Sequence, residues 1–239
     1  MKTLRFILGD QLNYNHSWYN DTSEDTIYFM AETQEETGYV NHHIQKIIGF
    51  FMSMRSLANH LENQGHCVIY YNIDDDQNQQ NLEDNLNQLI TEHDIEKFEY
   101  QYPDEYRLDK KLKAFCDELS IESQAYDTEH FYTSREEVTV FFEGKKTMIM
   151  EYFYRDMRKK HGILMENDKQ PEGGDWNFDK SNRKVWKGKP EIPKAKLFDH
   201  DVSDVYDRIE KTGINYIGRV NPESFEWPIS REECLDVLN

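Results

Sequence analysis

The sequence is short of cysteine, of long apolar runs and of positive charge. Only three cysteines occur in 239 residues, Cys67, Cys116 and Cys234. They lie far apart, no CxxC is present, and an odd number cannot fully pair. That usage points to a reducing, cytoplasmic compartment and argues against a cysteine-held metal or iron–sulfur site within this chain. No apolar stretch approaches the roughly 18–20 residues that span a bilayer, so no membrane partner is expected. The opening MKTLRFILGD turns polar too early for a signal peptide and reads better as a first strand. Basic residues number 28 against 46 acidic ones, a formal net charge of −18. Such a surface is a poor nucleic-acid platform, and DNA binding by this chain alone is expected to be weak or absent. The dinucleotide GxGxxG and phosphate-loop GxxxxGK[ST] motifs are missing too, so neither NAD nor a nucleoside triphosphate is indicated.

What is there centres on the stretch Ala31 to Gly65. It opens with the ligand-capable side chains Glu32, Glu36, Tyr39, His42 and His43. It then becomes an amphipathic helix with Ile44, Ile47, Ile48, Phe51, Leu57, Ala58 and Leu61 at spacings of three and four. Gly65 stands where a left-handed helix stop is expected, followed by a strand at Cys67–Tyr71. Further strands are predicted at Leu4–Leu8, Thr26–Met30, Lys97–Tyr102 and Ile121–Ala125, with helices around Leu82–Ile90 and Leu108–Leu119. This alternation predicts a five-stranded, doubly wound parallel α/β sheet over residues 1–130. Only the connection between the first two strands lacks a helical pattern. From Phe131 the pattern changes. Ser134 and Glu137 form a capping-box sequence before a short helix, and a longer helix is read over Thr147–His161. Pro171, Gly173, Gly174, Pro190 and Pro193 then break regular structure. Lysines and arginines crowd Lys180–Lys196 (Lys180, Arg183, Lys184, Lys187, Lys189, Lys194, Lys196), either as a solvated linker or as an anion-facing surface. Helical turns follow at Asp201–Thr212 and from Ser230, the last breaking off at Asn239.

Three groups of side chains belong at the carboxyl edge of such a sheet, where open parallel sheets bind ligands. Gly9, Asp10 and Gln11 form the first βα turn. Asp10 either caps that turn or accepts hydrogen bonds from a neutral ligand, and Gln11 can donate and accept. Glu32, Glu36, Tyr39 and His42 form the second group, with carboxylates to accept and a flat ring to stack. Adjacent His42 and His43 diverge on a helix, whereas chelating pairs come at i, i+4, so no metal site is expected. The third is the loop after the fourth strand, where Pro103, Glu105 and Tyr106 flank the same crevice or simply begin a helix. No nucleophile accompanies these residues, and no catalytic residue is assigned. From chemistry alone the aromatic helix and glycine-rich segment after residue 150 have no nameable task.

At these residues the sequence resembles a known family. ILGDQL at Ile7–Leu12, YVNHHIQKI at Tyr39–Ile47, MEYFYRDMRKKHGILM at Met150–Met165 and PEGGDWNFDKSNRK at Pro171–Lys184 resemble the bacterial cryptochrome/photolyase-related proteins, the iron–sulfur-containing prokaryotic (6-4) photolyases. The closing FEWPISREECLDVL resembles the start of that family's helical domain. The resemblance implies a Rossmann-like antenna domain (1–130) binding 6,7-dimethyl-8-ribityllumazine, a linker with helices (131–225), and the first residues of a flavin domain (226–239). It carries pocket positions to Gly9, Asp10, Gln11, Glu36, Tyr39 and His42, and less directly to Glu32 and the Pro103–Tyr106 loop. FAD, a 4Fe–4S cluster and the lesion pocket are implied only for a C-terminal photolyase domain absent from this sequence, so the chain is expected to be truncated and inactive in repair alone. The expected role is light harvesting for a flavin held elsewhere. Two rivals stand beside it: a protein-interaction module whose crevice is empty, and an enzyme using Glu36 and His42 as an acid–base pair.

Overall fold

A computed structural model of the chain describes residues 1–183 and 185–238. Lys184 of the basic run and Asn239, the predicted end of the last helix, lie outside the described residues. Five strands form one all-parallel sheet: β1 (Thr3–Phe6), β2 (Thr26–Ala31), β3 (Cys67–Tyr71), β4 (Lys97–Gln101) and β5 (Glu122–Tyr126). Their order is β3-β2-β1-β4-β5, so the direction of winding reverses at β1. The predicted doubly wound α/β sheet is what the chain forms. Four strands differ at their ends: β2 runs on to Ala31 and β4 stops at Gln101. Ile7 and Leu8 leave β1 to begin the turn, and β5 starts and stops one residue later than predicted.

The helices are α1 (Gln34–Gly38), α2 (Ile44–Asn63), α3 (Leu82–Glu92), α4 (Tyr106–Glu118), α5 (Arg135–Phe142), α6 (Met150–His161), α7 (Asp179–Asn182), α8 (Ser203–Thr212) and α9 (Arg231–Leu238). Strand alternation sends Ile27, Phe29 and Ala31 to one face of the sheet and Tyr28 and Met30 to the other. The first face packs on α3 and α4, the second on α2. Gly65 ends α2 at φ 91°, and the amide of His66 reaches back to the Leu61 carbonyl at 3.0 Å, the left-handed stop the sequence predicts.

Between β1 and β2 there is only a 3-10 turn, Ser17–Tyr19. Trp18 and Tyr19, both buried, take the place of a covering helix. Here the sheet holds a charge: Arg5 Nε lies 2.8 Å from Glu99, and Arg5 donates to the Trp18 carbonyl (3.0 Å) and to the Tyr28 hydroxyl (2.8 Å). The guanidinium lies over the Trp18 ring at 5.1 Å. Indole and phenol rings thus shield an ion pair that an apolar pattern would not reveal.

Compact packing does not divide the chain at single points along its length. Met1–Thr128 and Lys196–Asn239 form one unit, Glu129–Ala195 a second. In the first unit the returning segment crosses α2. The Ile44 amide bonds the Ile217 carbonyl, and the Ile217 amide bonds the His42 carbonyl, each at 2.9 Å. Gly218 lies so close that a Cβ there would fall 1.8 Å from the His43 ring, at a φ of 84° that favours glycine. Val205 and Ile209 of α8 and Phe225 join the core of α2. The residues from 226 on, which the resemblance assigns to a further domain, are grouped with the sheet unit.

In the second unit, Ser134 and Glu137 form the predicted capping box of α5. Phe142 packs on Phe153 of α6, with ring centres 5.9 Å apart. Arg158 donates to the carbonyls of Ile163 and Leu164, tying α6 to the chain that follows. Trp176 lies against Arg155, Arg158 and Lys159 at 5.2–5.6 Å, which explains how the glycine-rich segment is pinned. Among the described residues no helix is long and apolar enough to cross a membrane.

Candidate functional site

At the carboxyl edge of β1 and β2 a cavity of about 240 Å³ opens. This is somewhat below the ~300–1,000 Å³ of typical small-molecule sites, room for one small ring system. Its floor is apolar, with Leu8, Ile47, Phe51, Met54, Leu82 and Leu108 among its residues. Polar groups stand on the rim: Asp10 after β1, Glu36 and Tyr39 from α1, His42 and Lys46 at the start of α2, Glu105 and Arg107 at the start of α4. The fold brings them together because the winding reverses at β1, which separates the loops after β2 and β4 by one strand.

Gly9, Asp10, Glu32, Glu36, Tyr39, His42 and Glu105, all singled out from sequence, line this one cavity. The carboxylates, however, are not free acceptors for a ligand. Glu32 is 1% exposed, and its carboxylate receives Arg55 Nε at 2.8 Å, the Tyr70 hydroxyl at 2.7 Å and the Ile73 amide at 2.8 Å. Burial, then the Glu32 charge, hold the Tyr70 phenol well above its ordinary range. Glu36 is gripped by both terminal nitrogens of Arg107 at 3.0–3.1 Å. Glu105 caps α4, accepting from the amides of Arg107 (2.8 Å) and Leu108 (3.2 Å). Glu32 and Glu36 thus already accept from arginines, and Glu105 begins a helix, one of the two readings its sequence allows.

Three predicted residues do not line the cavity. Gln11 is buried and acts as a brace. Its side-chain oxygen accepts from the Leu8 amide (3.0 Å), and its amide nitrogen donates to the carbonyls of Gln101 (3.1 Å) and Tyr102 (3.3 Å), fixing the β1 turn to the end of β4. Pro103 is buried outside the lining. Tyr106 is 70% exposed and lies beneath Lys110. His43 serves as the cap of α2, its Nδ1 accepting from the Gln45 amide at 3.2 Å.

Sequence reasoning missed Arg107 and Lys46. Arg107 spans the rim, paired with Glu36 and lying over the Tyr39 ring at 4.6 Å. Its partner is 71 residues away, so no local spacing announces it. Lys46 lies 3.2 Å from His42 Nδ1. Burial first, then the Lys46 charge, lowers the His42 pKa, favouring a neutral ring. Tyr39 meets that ring edge-on at 5.1 Å. Glu36 is thus paired with Arg107, and His42 with Lys46 and the Glu36 backbone. Among the described residues no cluster of three or more His, Cys, Asp or Glu is arranged to hold a metal ion.

Comparison with known proteins agrees with this architecture. The family model described as "Deoxyribodipyrimidine photo-lyase-related protein" matches residues 5–227. A "(6-4) photolyase" of Agrobacterium fabrum is 33% identical over 245 aligned residues, taking in all of this chain and 47% of that protein. The chain spans about half the length of the curated relative it matches.

Proposed function

Since the chain belongs to the deoxyribodipyrimidine photo-lyase-related family, we propose that its sheet-edge cavity holds a lumazine-type pigment and that the unit serves as a light-harvesting antenna. The observation that carries this reading is the form of the cavity, an apolar floor under a rim of hydrogen-bonding groups with the Tyr39 ring among them. A small heteroaromatic ring with a polar edge suits that division; a phosphate-bearing dinucleotide does not. When bound, the pigment would supply absorption of violet-blue light and pass the excitation to a flavin. The chain's own residues bind and orient it. The apolar floor excludes water, Arg107 holds Glu36 and Tyr39 across the rim, and Gln11 fixes the turn that carries Gly9 and Asp10. FAD, an iron–sulfur cluster and DNA-lesion chemistry are proposed for other parts of a whole photolyase-related protein. The −18 charge here fits a chain that is not itself the DNA-binding surface.

The test is colour. Protein purified from a riboflavin-making host, or mixed with added 6,7-dimethyl-8-ribityllumazine, is expected to carry a violet-blue absorption band through gel filtration. A colourless protein that takes up neither lumazine nor flavin would overturn the reading and favour an interaction module.

A further inference from the structure

We infer that Lys46, held in place by His42, is a hydrogen-bond donor at the mouth of the cavity, one that selects a ligand presenting a carbonyl or other electron-rich edge there. This rests on the pigment reading above and fixes which edge of the ring the protein recognises.

Three independent observations converge. First, the Lys46 ammonium, on the cavity rim, has no carboxylate within ion-pair distance among the described residues. Its recorded contacts are the His42 ring and the Phe50 ring, the latter at 5.6 Å. The rim's other cation, Arg107, is by contrast fully engaged by Glu36 and Glu105. Second, Lys46 occupies the first turn of α2, where the helix dipole disfavours a cation. The neighbouring helices α1, α3 and α4 all place acidic residues in that turn, and α2 has none. Third, an ammonium has no lone pair, so in the 3.2 Å contact His42 Nδ1 must be the acceptor. That assigns the proton of the neutral ring to Nε2, and the ring is already hydrogen-bonded to the Glu36 backbone, so Lys46 is the donor left over. The ammonium keeps two further N–H groups.

The carboxylates near them do not cancel this character. Glu36 is held by Arg107 and Glu32 by Arg55, while Tyr39 offers its ring to His42. Asp10 lines the same cavity from the β1 turn. A dioxo-pteridine ring has the carbonyl oxygens such a donor seeks, and it would be held by that edge.

The test titrates 6,7-dimethyl-8-ribityllumazine into wild type, Lys46→Met, Lys46→Arg and Lys46→Glu, reading affinity, the absorption spectrum of bound pigment and the pH midpoint of its deprotonation. Lys46 is exposed, so all variants are expected to melt at the wild-type temperature. Loss of a charged donor should weaken binding about tenfold in Lys46→Met. Lys46→Arg should restore most of it, and Lys46→Glu should be weakest. A nearby cation favours the deprotonated pigment, so the bound midpoint should lie lower in wild type than in Lys46→Met. Wild type that binds pigment while Lys46→Met matches it in affinity, spectrum and midpoint overturns this inference and leaves the antenna reading standing. Wild type that binds no pigment overturns both.

Discussion

Leucines of α3 and α4 close one face of the sheet by apolar contact, whereas the opposite face is closed by pieces from three places in the sequence. On the first face Leu4, Phe6, Ile27 and Phe29 meet Leu86 and Leu89 of α3 and Leu112 of α4, two whole helices later in the chain. On the second, α2 is joined by Trp18 and Tyr19 from the β1–β2 connection, and by Val205, Ile209 and Phe225 from the returning segment. That face also contains Arg5 and Glu99, and, near the cavity, Glu32 with Arg55. Where closure comes from two amphipathic helices, greasy periodicity suffices. Where it is assembled from scattered segments, polar pairs fix the orientation of the parts, and the cavity opens at the sheet edge with lining from both cores.

The strongest test of this contrast is truncation in both cores. Phe225→Ala and Leu112→Ala should each cost about 3–5 kcal/mol in denaturant unfolding of the whole chain. Both residues are buried, Phe225 at 1% and Leu112 at 0% exposure. A Phe225→Ala midpoint equal to wild type would mean that the returning segment is not part of the second core. Next comes Glu32→Gln, which leaves Arg55 without its buried partner and should cost about 3 kcal/mol. Gly218→Ala should cost about 2 kcal/mol from the clash with His43 and the left-handed backbone, again only if the segment crosses α2 as described.

Acid should separate the faces as well. Burial pushes the Glu99 carboxyl up, but hydrogen bonds from Lys97, Arg5 and Tyr126 outweigh it and hold the group below the usual carboxylate range. A depressed folded-state pKa gives stability that is present above the unfolded value and lost as pH falls through the folded one. Glu99→Gln should therefore flatten the acid limb of a stability-versus-pH curve, while Leu112→Ala should lower the curve without changing its slope. The smallest stability effect is expected at the rim. Arg107→Met breaks a half-exposed pair and should shift unfolding by under about 1 kcal/mol, yet it should measurably weaken pigment uptake.

How much was legible follows the same division. The strands themselves, the α2 apolar stripe and the Gly65 stop could be read because each depends on neighbours within a few residues. The convergence of Gly9, Asp10, Glu36, Tyr39 and His42 on one edge followed from topology alone. What could not be read were partners: Arg107 for Glu36, Arg55 for Glu32, Ile217 and Gly218 for the start of α2. Each joins segments 23 to 175 residues apart, and such long-range contacts leave no periodic trace. The carboxylates could be read as residues of one edge, but their counter-charges, which come from elsewhere in the chain, could not.

The returning strap over α2 also has a consequence in time. Phe225 is made 162 residues after Asn63 ends the helix, an interval on the order of ten seconds at ordinary ribosomal speeds. Throughout it the outer flank of α2 must wait half-dressed, while the leucine-closed side can already settle. A nascent chain arrested before residue 200 should show one side of the sheet protected from proteases and the other still offering its greasy helix to chaperones.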